Sequence, residues 1–509
     1  MRNNSVAVKP IDRQTERMHA NMRKTLLAAG WVALAGISGP AQVAQYAIPH
    51  ETDAAREARM AWWTHDRFGM FIHFGLYSLA ARHEWVKSVE PIADDVYDAK
   101  YFRNFNPKRL DAKAWARAAK AAGMKYAVLT TKHHEGFCLW DSKVTDYKST
   151  NTPFGRDIVR EFVDAFRAEG LKVGFYYSLL DWHHPDYTVD LVNHPRKGLS
   201  WELYEQLRTG PDPEKALKPY RDAAAKLNAG RDMSKYRQYM RDQITELLTN
   251  YGKIDILWYD FSFADYPTGK GRTDWGSEEL LTLTRKLQPG ILVNCRLDLT
   301  DDPCGWDFLT PEQINTAKCL QVGGRNVPWE TCQTFSGSWG YYRDEQTWKS
   351  PYQLIAQLAK TVSCGGNLIM NVGPTGRGVI DERAEERLAA YAKWMEANGE
   401  SIYGCGVAPA EFAAPAGTVL TWNASERRLF LHILEWPFKT LPIPFHERVS
   451  YAEFLHDGSE VKISVPRWKL TQHGDDKASI TGLLQLPVQK PNVEVPVVEL
   501  HLREGKVTL

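Results

Sequence analysis

The residues best suited to chemistry stand where short apolar segments of the sequence end. A single residue of this kind is commonplace, but here five successive segments end at residues with imidazole, phenol, carboxylate or guanidinium groups. In chain order these side chains are His73, then His133 and His134, then Tyr176, then Asp260 behind Trp258, then Arg296. If the segments are neighbouring strands, their ends form one polar pocket with aromatic walls, which suits the binding of a sugar ring.

Cleavage of a glycosidic bond needs two carboxyl groups, one as nucleophile and one as acid/base. Asp260 is the best candidate for the nucleophile, because it ends an apolar strand whose packed backbone would fix the direction of its side chain. A helix N-cap or a salt bridge is the structural alternative for this residue. Spacing alone leaves four candidates for the second carboxyl group: Glu84, Glu135, Glu312 and Glu330.

The histidines could in principle bind a metal instead of a sugar. His133 and His134 are adjacent, however, and neighbouring residues of a strand point to opposite faces, so the two could share a metal only from a loop. No zinc-ligand spacing occurs in the sequence. We therefore expect hydrogen bonds from these imidazoles to sugar hydroxyls, and neither a metal nor another cofactor.

The elements that must position these residues follow a repeated order of helix, glycine and apolar strand. Asp111 can cap a helix that stops at Gly123, after which residues 126–129 have the pattern of a buried strand. The same order recurs before residues 173–177, 254–259 and 291–294. Alternating helices and apolar strands predict a parallel sheet with crossover helices.

Two architectures fit such a sheet, an open doubly wound sheet and a closed barrel. No glycine-rich phosphate loop follows an early strand, so the usual sign of a dinucleotide-binding sheet is missing. An α/β fold of the irregular (β/α)8 TIM-like barrel type is therefore favoured for residues 55–400. Its active site is expected where the strands end. An insertion at residues 183–232 is expected to fold over the mouth of the barrel.

The pattern changes near residue 400, where helical periodicity stops. Residues 418–422, 429–434 and 497–502 have the alternation of strands separated by turns. A C-terminal antiparallel β-sandwich is predicted for residues 410–509, with residues 413–417 as a linker.

The N-terminus has the order of a secretory signal peptide. Arg23 and Lys24 precede an apolar run at residues 26–37, and small residues follow to Ala44. Residues 1–44 are therefore predicted to be a leader with a signal peptide, and the mature protein to be exported to the periplasm or the medium. The seven cysteines are expected to be buried free thiols by default. A bridge between Cys304 and Cys319 remains an alternative.

The formal net charge is +1. This balance offers no electrostatic basis for binding nucleic acid or an anionic membrane surface. The sequence makes no prediction of the oligomeric state.

Seven short blocks together resemble the α-L-fucosidases of glycoside hydrolase family 29, in the order typical of that family. The blocks are HFG at 73–75, EW at 84–85, KHHEGF at 132–137, YYS at 176–178, WYD at 258–260, WE at 329–330 and NLIMNVGP at 367–374. The resemblance covers residues 61–404. It implies an irregular (β/α) barrel followed by a β-sandwich, and retaining, metal-free removal of terminal α-L-fucose from a fucosylated oligosaccharide or glycoconjugate.

The resemblance also implies roles for individual residues. Asp260 matches the family nucleophile, and Glu312, in the block at 307–312, matches the acid/base of those bacterial members that carry this block. The residues that match substrate-binding positions are His73, Glu84, Trp85, His133, His134, Tyr176, Trp258, Arg296 and Glu330. Glu330 is also the alternative acid/base. Two departures affect the prediction of leaving-group specificity: Phe261 replaces the usual glycine after the nucleophile, and the insertion after His184 is longer than usual.

Two other functions remain open at this point. A sugar-binding protein without catalysis would keep the pocket but would not need both carboxyl groups. An enzyme acting on a related sugar, such as an α-L-galactosidase, would use the same chemistry, because an apolar wall discriminates poorly against one added hydroxyl.

Overall fold

The computed structural model describes residues 48–192, 194–195, 199–262, 270–314, 319–465 and 481–503. The predicted leader and signal peptide at 1–44 lie outside the described residues. No helix in these described ranges is long and apolar enough to cross a membrane.

A parallel sheet of seven strands carries the larger part of the fold. Its strands are β1 Phe68–Ile72, β2 Tyr126–Lys132, β3 Lys172–Ser178, β4 Ile256–Asp260, β5 Leu292–Val293, β8 Glu330–Thr334 and β9 Asn367–Val372, with the short hairpin β6 Gln321–Val322 and β7 Arg325–Asn326 outside the sheet. The order in space is β5-β4-β3-β2-β1-β9-β8. All neighbouring strands of this sheet run parallel.

Helices alternate with these strands, as the repeated order predicted. They are α1 Asp53–Asp66, α2 Tyr77–Ala80, α3 Val86–Val89, α4 Asp94–Lys100, α5 Ala112–Ala121, α6 Ile158–Ala168, α7 Trp201–Arg208, α8 Pro213–Leu227, α9 Met233–Asn250, α10 Arg272–Trp275, α11 Ser277–Leu287, α12 Pro351–Ser363 and α13 Glu382–Asn398. Short 3-10 helices occupy Phe102–Asn104, Ser149–Asn151, Gly399–Ser401 and His446–Arg448. Asp111 caps α5 through the Ala114 amide, and Gly123 turns the chain with a φ of 83°.

The gap between β5 and β8 is closed by residues 308–312 rather than by a regular strand. Single parallel bridges join this segment to Asn294 on one side and to Trp329 and Cys332 on the other. With this segment in the sixth position, eight positions surround one interior, which confirms the irregular (β/α)8 barrel. The carboxyl ends of all eight positions meet at one rim.

The segment at 308–312 is held by the buried carboxylate of Asp307. Arg59 of α1 and Arg285 of α11 each approach Asp307 to 2.7 Å, and the Val293 amide donates a hydrogen bond to it at 2.7 Å. Burial alone would raise the pKa of Asp307, but the two guanidinium groups lower it below its usual value. Helix α1 therefore anchors the irregular position of the barrel from the amino-terminal side.

The interior of the barrel is packed by aromatic and aliphatic side chains from alternate strand residues. A buried cluster contains Trp63, Phe71, Tyr126, Val128, Tyr176, Ile256, Trp258, Phe308, Cys332 and Ile369. The ring of Tyr126 passes so close to Gly69 that a Cβ atom there would lie 2.3 Å from it. The narrow barrel can therefore hold this layer of aromatic rings because Gly69, which has no Cβ atom, leaves space for the Tyr126 ring.

The insertion after β3 folds into the helices α7 and α8. A small apolar cluster that includes Leu199, Tyr204 and Leu217 packs these helices together. The insertion is tied to the segment after β4 by an ion pair between Lys270 and Asp190, both buried. Since β3 and β4 both end at the rim, the insertion lies on the side of the barrel where the pocket was predicted.

Antiparallel sheets follow the last helix of the barrel. One consists of β10 Cys405–Val407, β11 Thr418–Asn423, β12 Arg428–Ile433, β17 Val497–Leu502 and β14 Val449–Phe454, and the other of β13 Thr440–Ile443, β16 Gly482–Gln485 and β15 Ile463–Ser464. A separate apolar cluster that includes Leu431, Leu441 and Leu484 lies between them. This two-sheet core agrees with the predicted C-terminal antiparallel β-sandwich. All seven cysteines are free thiols, so Cys304 and Cys319 are not bridged.

Candidate active site

Asp260 is the last residue of β4, and its carboxylate accepts two hydrogen bonds. The Tyr176 hydroxyl donates to Oδ2 at 2.7 Å, and an Arg296 Nη atom donates to Oδ1 at 2.7 Å. His134 Nε2 lies 3.9 Å from Oδ2. The side chain is mostly buried, with 8% of the residue exposed. A carboxylate held on both oxygens in this way has a fixed direction, as a nucleophile requires.

Arg296 connects Asp260 to Glu312. Its second Nη atom donates to the Glu312 carboxylate at 2.9 Å, and its Nε atom donates to the Thr310 hydroxyl at 3.0 Å. The guanidinium group lies 4.5 Å above the centre of the Trp258 ring. Burial alone would lower the pKa of Arg296, but the two carboxylates raise it well above its usual value.

Glu312 belongs to the irregular sixth position of the barrel. Its backbone forms a parallel bridge with Cys332, and the next residue, Gln313, has a φ of 53°. About a quarter of the side chain, 27%, is exposed, whereas the Asp260 side chain is 11% exposed. The structure therefore brings Glu312 to the same rim as Asp260, on the more open side.

Three histidines line the opposite side of the pocket. His73 Nδ1 is 2.6 Å from the Asn371 side-chain oxygen, and His134 Nδ1 is 2.7 Å from the Ser178 hydroxyl. The His133 ring is stacked with the Tyr176 ring at 5.7 Å. Burial lowers the pKa of His73 to about 3 and lowers the pKa values of His133 and His134 well below the usual value. All three are therefore neutral imidazoles that can both donate and accept hydrogen bonds.

Glu84 and Trp85 complete the wall beside His134. The Glu84 carboxylate accepts a hydrogen bond from the Gly340 amide at 2.8 Å, which fixes the loop that carries Trp339. The Trp85 ring meets the His134 ring edge to face at 5.0 Å. Both residues thus lie on the same side of the rim as His134.

Phe261 is a non-glycine residue in the left-handed region, with a φ of 81°. Its ring packs against Trp85 at 5.6 Å and against His134 at 5.1 Å. A bulky side chain in this region costs on the order of 1–3 kcal/mol and persists only where the surroundings enforce it. The sequence departure after Asp260 is therefore a strained residue whose aromatic ring forms part of the pocket wall.

Glu330 is the one predicted site residue that the structure does not bring to the rim. It is the first residue of β8, is completely buried, and accepts a hydrogen bond from the Tyr126 hydroxyl at 2.5 Å. Tyr126 is itself the first residue of β2. Both lie at the amino-terminal ends of the strands, whereas Asp260 ends β4.

Glu135, another of the four carboxyl candidates, is also buried away from the pocket surface. It accepts hydrogen bonds from the Tyr97 hydroxyl and from the Leu76 amide, so it joins the loops after β1 and β2. Burial raises the pKa of Glu135 to about 7.

Asn371 and Trp339 are pocket residues that the sequence reasoning left without a role. Asn371 stands one residue before the end of β9 and also donates a hydrogen bond to the Trp339 carbonyl at 2.6 Å. The Trp339 ring lies 5.2 Å from the His73 ring. Asn371 could have been predicted as a pocket residue because it is a polar residue near the end of the apolar segment at 367–372. Trp339 lies on an irregular loop, where no periodicity could point to it.

Groups of candidate metal ligands can be compared among the described residues. In the described ranges, the one group of three candidate ligands with atoms within 4.8 Å of one another is Glu453, Glu499 and His501, in the C-terminal sheet. Glu499 is already paired there with Arg428 at 2.7 Å.

Comparison with known proteins gives one consistent result. The family model for α-L-fucosidase matches residues 36–400. Plasma α-L-fucosidase of Homo sapiens is 31% identical over 368 residues, which cover 67% of this chain and 69% of that protein. Tissue α-L-fucosidase of Bos taurus is 29% identical over 459 residues, with 84% and 85% covered.

Solved structures agree with the sequence relatives. α-L-Fucosidase isoenzyme 1 from Paenibacillus thiaminolyticus is 42% identical, with a TM-score of 0.77 over 88% of this chain and all of that one. An α-L-fucosidase from Bacteroides thetaiotaomicron, trapped as a covalent intermediate with 2-fluoro-fucosyl fluoride, is 26% identical, with a TM-score of 0.70 and coverage of 88% and 96%. On its sequence and its fold, the chain belongs to the α-L-fucosidase family of glycoside hydrolases.

Proposed function

We propose that this enzyme hydrolyses terminal α-L-fucosyl bonds of fucosylated glycans with retention of configuration, with Asp260 as nucleophile and Glu312 as acid/base. The observation that carries the proposal is the single guanidinium group of Arg296, which is bonded to both carboxylates. Retaining enzymes hold their two carboxyl groups about 5–5.5 Å apart. A guanidinium group that is bonded to two carboxylates holds them close together without direct contact between them.

In the first step Asp260 attacks the anomeric carbon and forms a covalent fucosyl-enzyme, while Glu312 gives its proton to the departing oxygen. Tyr176 and Arg296 hold the two oxygens of Asp260, so the attacking lone pair has a defined direction. In the second step Glu312 takes a proton from water, which releases fucose. The family relation to a fucosidase trapped as a covalent intermediate supports this sequence of steps.

The remaining pocket residues are proposed to bind the fucosyl ring. Neutral His73, His133 and His134, together with Glu84, offer donors and acceptors to sugar hydroxyls. The partly exposed Trp85 ring offers an aromatic surface against which the apolar face of a sugar packs, and the buried rings of Tyr176 and Trp258 are proposed to line the pocket behind it.

The proposed domains are the leader at 1–44, the catalytic barrel at 55–400 and the C-terminal β-sandwich at 410–509. Export rests on the charged, apolar and small-residue order of the leader. N-terminal sequencing of protein recovered from the periplasm or the medium should find Gln42 or Gln45 first. An intact leader on a cytoplasmic enzyme would contradict the proposed export.

The nucleophile is tested by covalent labelling. A 2-fluoro fucosyl fluoride should attach to the peptide that contains Asp260, and the Asp260→Asn variant should fold normally but show no turnover. The Asp260→Gly variant with azide should give the β-fucosyl azide, because azide then attacks the anomeric carbon from the side that the Asp260 carboxylate occupied. A label on another carboxylate would refute the assignment.

The acid/base is tested by leaving groups of different quality. The Glu312→Ala variant should cleave a natural fucosyl-sugar roughly 10²–10⁴-fold more slowly, the usual contribution of acid/base help. An activated aryl fucoside needs little protonation, so its first step should be affected far less. Azide should rescue this variant and give the α-fucosyl azide, the opposite anomer to the Asp260→Gly product. If Glu330→Ala gives this result and Glu312→Ala does not, the two roles should be exchanged.

A further inference from the structure

Two of the three pocket histidines have a hydrogen-bond partner that fixes which ring nitrogen carries the proton. A neutral imidazole has one N–H donor and one acceptor nitrogen, and the two roles can exchange. His73 Nδ1 lies 2.6 Å from Asn371 Oδ1, and His134 Nδ1 lies 2.7 Å from Ser178 Oγ. The direction of these two hydrogen bonds therefore decides whether the other ring nitrogen, Nε2, donates or accepts.

The side-chain amide of Asn371 can only accept a hydrogen bond from His73. Its Nδ2 atom donates to the Trp339 carbonyl oxygen at 2.6 Å. The opposite orientation of the amide would place two acceptor oxygens against each other, so this bond fixes which end of the amide faces His73. The atom that faces His73 is Oδ1, which has no proton to give. The proton of this hydrogen bond therefore belongs to His73 Nδ1.

The hydroxyl group of Ser178 can likewise only accept from His134. It has a single proton, which it donates to the Leu180 carbonyl oxygen at 2.9 Å. A carbonyl oxygen cannot donate, so Ser178 Oγ has only lone pairs left for the His134 ring. Ser178 is the last residue of β3 and is completely buried. The proton between these two side chains therefore belongs to His134 Nδ1.

Both imidazole rings carry only this one proton. Burial lowers the pKa of His73 to about 3 and lowers the pKa of His134 well below its usual value, and the charges of Lys132 and Arg296 lower the latter further. With the proton on Nδ1, each ring has an unshared electron pair at Nε2. Across the described ranges neither Nε2 atom has a hydrogen-bond partner. That of His134 lies 3.9 Å from Asp260 Oδ2, at the reaction centre.

We propose that Asn371 and Ser178 are positioning residues: they hold the protons of His73 and His134 on Nδ1, so that both histidines accept hydrogen bonds from two hydroxyl groups of the bound sugar. The inference rests on the function proposed above, in which these histidines bind the fucosyl ring. It means that the sugar must donate a proton at two positions. The substrate class is therefore a terminal sugar with free hydroxyls at both positions, and a sugar that is methylated or acylated there should not be cleaved.

The donors of the sugar are tested with analogues of L-fucose as competitive inhibitors. In each analogue, hydrogen or fluorine replaces the hydroxyl at C2, C3 or C4. Fluorine accepts weak hydrogen bonds but cannot donate one, so it distinguishes the two directions. At two positions, fluorine should raise the inhibition constant as much as hydrogen does, by roughly 10–100-fold, the usual effect of an unpaired buried acceptor. If fluorine binds clearly better than hydrogen at two or more positions, the inference is wrong.

The positioning residues are tested with Ser178→Ala and Asn371→Leu. Without an acceptor beside Nδ1, the proton of His134 can move to Nε2 and donate to fluorine. At one position of the sugar, Ser178→Ala should therefore bind the fluoro analogue better than the deoxy analogue, and Asn371→Leu should do so at the other position.

Thr131→Val is the matched control for the loss of a buried hydroxyl. Thr131 is completely buried and donates to the Tyr176 carbonyl oxygen at 2.7 Å, and among the described residues it is bonded to no imidazole. The variant should be less stable than the wild type but should keep the wild-type order of the analogues. A change in that order equal to the change in Ser178→Ala would overturn the inference.

Neutron diffraction from crystals of the deuterated enzyme locates these protons directly. It should show a deuteron on Nδ1 and none on Nε2 in both rings. A deuteron on Nε2 of His73 or of His134 would overturn the inference, as would an unchanged order of analogues in Ser178→Ala. Ser178→Ala removes a single oxygen atom and decides the test if Asn371→Leu does not fold. If L-fucose does not compete with an aryl fucoside, the proposed function fails instead, while the neutron map still decides where the protons lie.

Discussion

Replacement of Glu330 by glutamine should change how the stability of the enzyme depends on pH. Burial raises the pKa of Glu330 to about 7 in the folded protein, against a usual value of 4.5. Because the folded-state pKa is the higher of the two, the bound proton stabilises the folded protein. This contribution is complete below pH 4.5 and is lost as the pH rises through about 7.

The magnitude follows from the size of the shift. One pKa unit corresponds to about 1.4 kcal/mol, so a shift from 4.5 to about 7 corresponds to about 3 kcal/mol. The side chain is completely buried, so solvent screening does not reduce this figure. Between pH 4.5 and pH 8 the wild type should therefore lose about 3 kcal/mol relative to Glu330→Gln, whose amide does not titrate.

The assay is chemical denaturation of both proteins at several pH values, with the difference in unfolding free energy plotted against pH. Any constant difference between glutamic acid and glutamine cancels in the slope. Glu90→Gln is a control of opposite sign, since a hydrogen bond from Arg82 lowers the pKa of the exposed Glu90 and its contribution is lost toward acid pH. A flat difference curve for Glu330→Gln, or one that rises where it should fall, would refute the buried neutral carboxyl group.

Three further predictions concern the pocket and its supports. Chelation with EDTA should leave activity unchanged while His133→Ala weakens binding or turnover; activity that EDTA removes and zinc restores would contradict the role of the histidines as sugar ligands. Phe261→Gly should be more stable than Phe261→Ala by about 1 kcal/mol in thermal unfolding, because glycine accepts the left-handed φ at this position and alanine does not; the reverse order would contradict the backbone strain. Lys132→Met should destabilise the fold by about 3–5 kcal/mol, because it leaves the buried Asp181 without its partner at 3.1 Å. The double variant Lys132→Met with Asp181→Asn should lose less unfolding free energy than Lys132→Met alone. An equal or greater loss in the double variant would show that the broken ion pair is not the cause.

The sequence predicted the repeated part of the fold well because local chemistry specifies it. Asp111 as a cap, Gly123 as a stop and the apolar run after it indicated one helix and one strand, and α5 and β2 occupy those places. The sixth position of the barrel could not be predicted in the same way. Residues 308–312 take part through single bridges to three different neighbours, and such long-range pairing has no local pattern.

The candidate site shows the same division between local and long-range information. The position of Asp260 at the rim could be predicted because the end of an apolar strand fixes its place in the sheet. The choice among four glutamates depended on long-range contacts, since Glu330 starts a strand at the far end of the barrel, whereas Glu312 is bonded to the guanidinium group that also holds Asp260. Glu312 follows an irregular segment and Glu330 starts a strand, but the direction of β8 relative to the rim was not visible in the short motif WE at 329–330.

Resemblance to a family and physical reasoning therefore lead to different expectations for Glu330. A short motif groups Glu330 with the substrate-binding residues because it recurs beside them in sequence. The structure separates these residues, since Glu330 is joined to Tyr126 at one end of the barrel and Asp260 to Tyr176 and Arg296 at the other. The Trp258 ring lies 4.5 Å under the Arg296 guanidinium group and belongs to the same buried cluster as Tyr126. A motif that adjoins site residues in the sequence therefore does not bring its own side chain to the rim when that side chain starts a strand rather than ends one.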